Sequence, residues 1–299
     1  MRKSQLGMAG REGKRRLLRR RSSSFHNVAL LLVLPVGGLL IFFAVMFVRS
    51  AMRSPVLRLQ PSHIQATVVP KPVALAPRRP QSEIVLILDD VGFDHQPLPA
   101  AMAIDPNINF SVLPNAPHGV EFANELHARG FEVLCHLPME PEGFPRISPG
   151  GGAVLTSMSD DEIARATTAN VASVPYARGV NNHMGSRATA DRRVMHDVLA
   201  SLPAGMYFID SRTSGSSIGA AVAREMKIPT AARNVFLDDV QTLPAIRRQL
   251  EELLKTAEQR GVAVGIGHMY PVTIAVLTRE APRLRAAGFR FARASEAVR

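Results

Sequence analysis

Residues 83–299 predict a distorted β/α barrel of seven to eight strands, on three observations. Short apolar runs alternate with stretches of helical periodicity along the whole segment. The runs end at their C-terminal tips in acids, histidines and amides, which is where β/α barrels carry their chemistry. Seven or eight such units in one uninterrupted segment fit a single barrel better than two domains. An open doubly wound sheet is the alternative, because periodicity does not prove closure.

The elements follow in order. A strand over 84–89 stops at Asp89-Asp90, and a second is expected over 108–113. A third over 131–136 stops at His136, with Glu140 four residues later. Strand 178–182 leads into Asn181-Asn182-His183, and 205–209 into Asp210-Ser211-Arg212. The run 230–237 ends at Asp238-Asp239, 262–267 at His268, and a short strand is expected over 289–292. Helices fall between them near 96–103, 118–129, 159–174, 190–201, 216–226, 242–260 and 271–287. The clearest is 242–260, where Leu243, Ile246, Leu250, Leu253, Leu254 and Ala257 share one face and Gly261 supplies a stop. Ser159-Asp160-Asp161-Glu162 has the form of a capping box, so its acids mark a helix start rather than a site.

Ahead of the barrel the chain changes character. Residues 1–49 hold ten Lys/Arg against one acid, Glu12, so the net charge of +11 comes from the termini and linker. Residues 83–299 hold 21 Lys/Arg against 24 Asp/Glu, a balance that excludes nucleic acid as the partner implied by a basic chain. Residues 28–48 contain no charge, are long enough to cross a bilayer as a helix, and follow a basic cluster. They predict a single-pass signal anchor in the inner membrane, with basic residues 1–27 cytoplasmic and the barrel periplasmic. Secretion after cleavage is the alternative. Residues 49–82, with six prolines from Pro55 to Pro80, predict an extended linker. The single cysteine, Cys135, alternates with His136 along its strand and should point away from it as a small buried hydrophobe.

The strand tips supply the candidate chemistry. Adjacent carboxylates Asp89 and Asp90 repel unless a cation or several donors compensate, and a metal held by one leaves the other free as a base. A turn or helix cap explains the same pair without any chemistry. His136 with Glu140, next to such acids, suits zinc or a similar divalent ion. In the segment 181–186, His183 could complete a metal site, bind substrate, or satisfy backbone groups. Asn182 and Ser186 flank it, and Gly185 permits a close backbone approach. Asp210 offers a further carboxylate with Arg212 beside it, and Asp90 with Asp210 could form a metal-free glycosidase pair. Structural ion pairing is the stronger reading of Asp238, Asp239 and Arg233. His268, beyond an apolar strand, can titrate near neutral pH as a general acid requires.

These segments together resemble a known family. Leu88-Asp-Asp-Val91 and Gly130-Phe-Glu-Val-Leu-Cys-His136 are similar to the NodB-like polysaccharide deacetylases. The runs 136–141, 179–186, 208–213 and 265–268 resemble the divergent polysaccharide deacetylase branch. The resemblance spans about 83–292 and implies a distorted barrel with one divalent ion, zinc, hydrolysing N-acetyl groups on sugars. It implies Asp89 as base, Asp90 and His136 as metal ligands, and His268 as general acid. Where the family's second motif has a second histidine, this chain has Glu140; His183 is then the first choice for the third ligand and Glu140 the second. The function expected is a metal-dependent deacetylase-like hydrolase acting on a cell-envelope or extracellular polysaccharide. A non-catalytic glycan-binding module that keeps the fold is the alternative.

Overall fold

The computed structural model describes residues 82–298. The basic terminus, the anchor and, but for Ser82, the linker lie outside the described residues. No helix among the described residues is long and apolar enough to cross a membrane.

Strand and helix alternate from the first described element. β1 (Glu83–Val91), α1 (Leu98–Met102), β2 (Asn109–Val112), α2 (Gly119–Ala128) and β3 (Glu132–Met139) open the domain. α3 (Asp160–Ala172), β4 (Ala177–Met184), α4 (Arg192–Ala200), β5 (Tyr207–Asp210) and α5 (Gly219–Glu225) follow. β6 (Thr230–Ala232), β7 (Val235–Phe236), α6 (Leu243–Arg260), β8 (Val262–His268), α7 (Pro271–Ala286), β9 (Arg290–Phe291) and α8 (Ala294–Ala297) complete it. The capping box is formed, with Ser159 and Glu162 exchanging bonds at the start of α3. α6 ends at Gly261 in a left-handed conformation (φ 82°).

All pairings are parallel, in the order β6-β5-β4-β3-β2-β1-β8-β7, with β9 beside β1. The sheet is a curled half-barrel, and it has nine strands rather than seven or eight. The extra strand comes from 230–237, expected as one strand. Its first half, β6, pairs with β5, and its second half, β7, pairs with β8. Between them Arg233 donates its backbone N–H to Asp210 and Asn234 donates its own to Val264, so the partner changes within two residues.

Side-chain alternation then sorts the strands into two cores. Ile84, Leu86 and Leu88 pack outward with Val133, Cys135, Val180, Phe208 and Ala263 against the helices. Val85, Ile87, Leu134, Tyr207, Ile209, Val264 and Ile266 pack inward. Cys135 therefore lies on the helix side of β3, buried, as its alternation with His136 predicts. Continued to the strand tips, the inward parity selects Asp89, His136, Asn181, Ser211 and His268.

β1 needs two partners on the edge away from β8. β2 covers its upper part from Ile87, and β9 covers Glu83 and Ile84. Asn109 bridges that seam from complete burial: its Nδ2 donates to Leu86 (2.9 Å) and Ala292 (3.3 Å), and its Oδ1 accepts from Ala294 (2.8 Å). Asn109→Ala strands two buried carbonyls and one N–H. We expect a loss of about 2–4 kcal/mol, read from the urea midpoint at unchanged m-value; a loss within error of zero contradicts this role.

Candidate metal centre

Asp89 and Asp90 are neighbours on β1, and an extended strand would send them to opposite faces. The backbone of Asp90 prevents this by adopting a left-handed conformation, φ 57°, where the β1–β2 register also breaks between Leu88 and Val91. Gln96 fixes the turn: its Nε2 donates to the Asp90 carbonyl (2.6 Å), and its Oε1 accepts from the N–H groups of Gly92 and Phe93. Both carboxylates consequently enter the same mouth.

Three donor atoms converge there. Asp90 Oδ1 lies 3.0 Å from His183 Nδ1 and 3.3 Å from His136 Nε2, and the two nitrogens are 3.2 Å apart. Asp90 Oδ1 is buried, yet no donor is aligned on it. The tautomer of His136 follows from its other nitrogen. Asn181 Nδ2 donates to Asp89 (2.9 Å) and Ser211 (3.2 Å), so Asn181 Oδ1 accepts from Ser111 Oγ and from His136 Nδ1 at 3.0 Å. His136 Nε2 is then a lone pair turned towards Asp90 and His183.

This geometry fits a small divalent ion. Donors about 2.0–2.1 Å from a tetrahedral zinc are separated by roughly 3.3 Å, close to the three distances observed. One carboxylate oxygen with two imidazole nitrogens is a donor set such ions accept, and Asn181 supplies the outer hydrogen bond that orients a ligating histidine. Asp90, His136 and His183 are the residues that could hold it.

The flanking groups are tuned by the same charges. Burial pushes the Asp89 carboxyl up, against the opposing pull of His136 and His268. For Asp90, burial is outweighed by the two histidines, which hold it well below the usual carboxylate range. Burial lowers His136, and the charges of Asp89 and Asp90 outweigh it and raise the ring above its ordinary value. His268 faces Asp90 Oδ2 at 3.8 Å, and its Nδ1 meets Asp238 Oδ1 at 2.9 Å. Asp238 Oδ2 accepts from the His268 backbone N–H and from Thr273 Oγ1, both at 2.7 Å. Burial opposes protonation of His268, yet the Asp238 hydrogen bond and the Asp89 charge push it up to about 9.

The remaining candidates lie elsewhere. The Glu140 carboxylate accepts from Thr156 N–H (2.6 Å), Thr156 Oγ1 (2.7 Å) and Arg187 (3.0 Å), tying loops together instead of joining the cluster. Asp210 turns outward and caps α5, accepting from Ser217 Oγ, the Arg212 N–H and the Ala220 N–H. That engagement removes the Asp90–Asp210 glycosidase pair. Asn182 links β4 to β5 by accepting from Ser211 N–H (2.8 Å) and donating to Met184 (2.7 Å), and Ser186 accepts from Glu142 N–H. Arg212 is exposed and stands outside the mouth. The sequence alone gives Gln96, Ser111 and Ser211 no role, names Asn181 at its strand tip without assigning it one, and reads Asp238 as a structural acid. A cavity of about 360 Å³ opens above Asp89, His136 and His268, and a second, of about 510 Å³, adjoins it at Asp90 and His183. Phe93, Pro114 and Pro149 line the second.

Comparison with known proteins places the chain in a family. The chain is 36% identical over 196 residues to the uncharacterized protein YibQ of Escherichia coli K12, covering 65% of this chain and 61% of that one. An uncharacterized Haemophilus influenzae protein is 34% identical over 198 residues, covering 66% of this chain and 70% of its own length. Among solved structures, uncharacterized protein ATU2773 of Agrobacterium tumefaciens C58 has the same fold. Its TM-score is 0.67 at 21% identity, over 74% of this chain and 91% of that one. Residues 86–298 match the family model described as divergent polysaccharide deacetylase, and the chain belongs to that family.

Proposed function

We propose that this domain is a metal-dependent hydrolase that removes N-acetyl groups from a cell-envelope polysaccharide, acting outside the inner membrane to which residues 28–48 anchor it. The observation that carries this reading is the convergence of Asp90 Oδ1, His136 Nε2 and His183 Nδ1 within 3.3 Å, with Asp89 on one side and the His268–Asp238 pair on the other.

Asp90, His136 and His183 would hold zinc or a similar divalent ion, which would supply Lewis-acid polarisation and a more acidic water. The chain's own groups perform the proton transfers. Asp89, its basicity raised by burial and its Oδ1 fixed by Asn181, accepts the proton of the attacking water. His268 donates to the departing amine nitrogen, the only point at which the C–N bond can release a neutral leaving group. Asp238 holds the His268 ring through Nδ1, so Nε2 faces the mouth as the donor. Asp90 and Asp89 are too close to share one base role, and the two histidines around Asp90 keep it ionised as a ligand.

Three outcomes test this. Elemental analysis of the purified full chain returns one divalent ion per chain, and Asn181→Ala lowers ion affinity by about 10–100-fold although Asn181 is no ligand. A chain without ion after metal supplementation contradicts the reading. Asp89→Asn keeps the ion but loses acetate release from N-acetylglucosamine oligomers by about 10²–10⁴-fold in kcat; full activity in that variant removes Asp89 from the base role. Finally, His268 must carry its proton, so kcat/KM falls along an alkaline limb, and Asp238→Asn, which removes the charge that raises His268, moves that limb to lower pH. An alkaline limb that stays fixed in this variant shows that Asp238 does not set it.

A further inference from the structure

One cavity lies away from the mouth. It has about 880 Å³ and lies where the sheet changes partners, between β6 and the lower half of β8. Among the described residues, β6 has no strand on its outer edge. β7 reaches β8 only at Gly265 and Ile266, which leaves Val262 and Val264 facing the slot. Asn234 fills only the top of that gap, donating its backbone N–H to Val264 and accepting from the Val264 N–H through Oδ1, both at 2.8 Å.

Five cations and no acid line this slot: Arg212, Arg224, Lys227, Arg233 and Arg260. None of the five forms an ion pair among the described residues. Glu225, the acid beside Arg224, is instead paired with Arg192 at 2.6 Å. The concentration is notable because residues 83–299 as a whole carry more acids than bases. Two of the cations also occupy costly backbone. Arg212 has φ 46° and Lys227 φ 59°, a conformation in which a residue with a side chain is held against its preference. Arg233 is braced rather than free: Nε and Nη2 donate to the Ser211 and Arg212 carbonyls, and its guanidinium lies 4.8 Å from the Phe236 ring. That fixes a guanidinium beside Arg212 at one end of the slot, with Arg224 and Lys227 at the end of α5 and Arg260 at the end of α6.

We infer that this slot is a binding site for a diphosphate group, separate from the hydrolytic mouth and independent of the reading given to that mouth. Guanidinium groups present planar forks that match phosphate oxygens, and four of the five cations are arginines. A volume of about 880 Å³ is that of a small-molecule site, too large for a single phosphate to span. Cations from three separate elements require an anion with more than one charged centre to compensate them. The diphosphate can belong to a soluble molecule or to a lipid headgroup; the chemistry recognised is the same.

The test uses the full chain after removal of metal by chelation, so that the probe cannot bind through an ion. Inorganic pyrophosphate is titrated calorimetrically, with inorganic phosphate as the weaker comparison. We expect saturable binding of one pyrophosphate per chain, weakened by roughly tenfold or more in R224E/K227E and unchanged in D90N and in R279E, whose arginine is exposed on α7. Circular dichroism confirms that the exposed double variant is folded. Absence of saturable binding, or equal weakening in R279E, overturns the proposal, because the attraction is then general surface charge. Flotation with vesicles carrying a diphosphate-headed lipid, competed by pyrophosphate, identifies the lipid as source; binding of pyrophosphate without flotation identifies a soluble ligand.

Discussion

Consecutive residues on a β-strand face opposite ways, and the mouth of this barrel exists because one residue breaks that rule. Were Asp90 extended, it would lie among the outward apolar side chains of β1 and β2, an ion in the core at a cost of several kcal/mol. Its left-handed backbone instead places Asp90 Oδ1 at 3.0–3.3 Å from two imidazole nitrogens, while Asp89 keeps the ordinary inward direction. The strain is held in place by Gln96, which binds the Asp90 carbonyl and two following N–H groups at once. Two carboxylates with different surroundings then serve different ends: one buried and made more basic, the other flanked by histidines and kept ionised.

Asn181 coordinates the rest. It is wholly buried, and its amide touches four site residues: Asp89 and Ser211 through Nδ2, His136 and Ser111 through Oδ1. An amide has donors and acceptor at fixed positions, so it can orient a carboxylate and an imidazole without adding charge between them. A carboxylate in its place would repel Asp89, and a cation would compete with any bound ion. Burial of this polar network is tolerable because its members satisfy one another.

Most of the site was legible because strand tips in parallel α/β folds converge, and because Asp, His and Glu announce themselves. Strand parity separates the polar tip residues that enter the mouth from those that do not. Along β5, Tyr207 and Ile209 face inward, so Ser211 shares their direction and Asp210 does not. Along β4, Asn181 and His183 share a face and Asn182 takes the other. Glu140 has the parity of His136, but β3 ends at Met139 and the chain bends towards Thr156, so alternation no longer governs it. Asp238 reads in sequence as an ordinary ion-pairing acid, although it too closes a strand. The nine-stranded sheet is not legible in sequence, because 230–237 reads as one apolar run and nothing in its residues marks a change of partner.

That change of partner accounts for two features at once. Once β7 is in register with β8, Val235 opposite Gly265 and Phe236 opposite Ile266, continuing the alignment by two residues sets Asp238 opposite His268. The carboxylate that raises His268 is thus delivered by strand pairing rather than by a loop. The same crossing leaves β6 and lower β8 unjoined, and into that opening point Arg212, Arg233 and the basic ends of two helices. A segment that stayed beside β5 throughout would close neither end: His268 would lack its partner, and the slot would extend up to the mouth. The acid–histidine centre and the cationic slot therefore lie on the two sides of one short crossing, kept apart by Phe236, whose ring packs on His268 at 5.2 Å and on Arg233 at 4.8 Å.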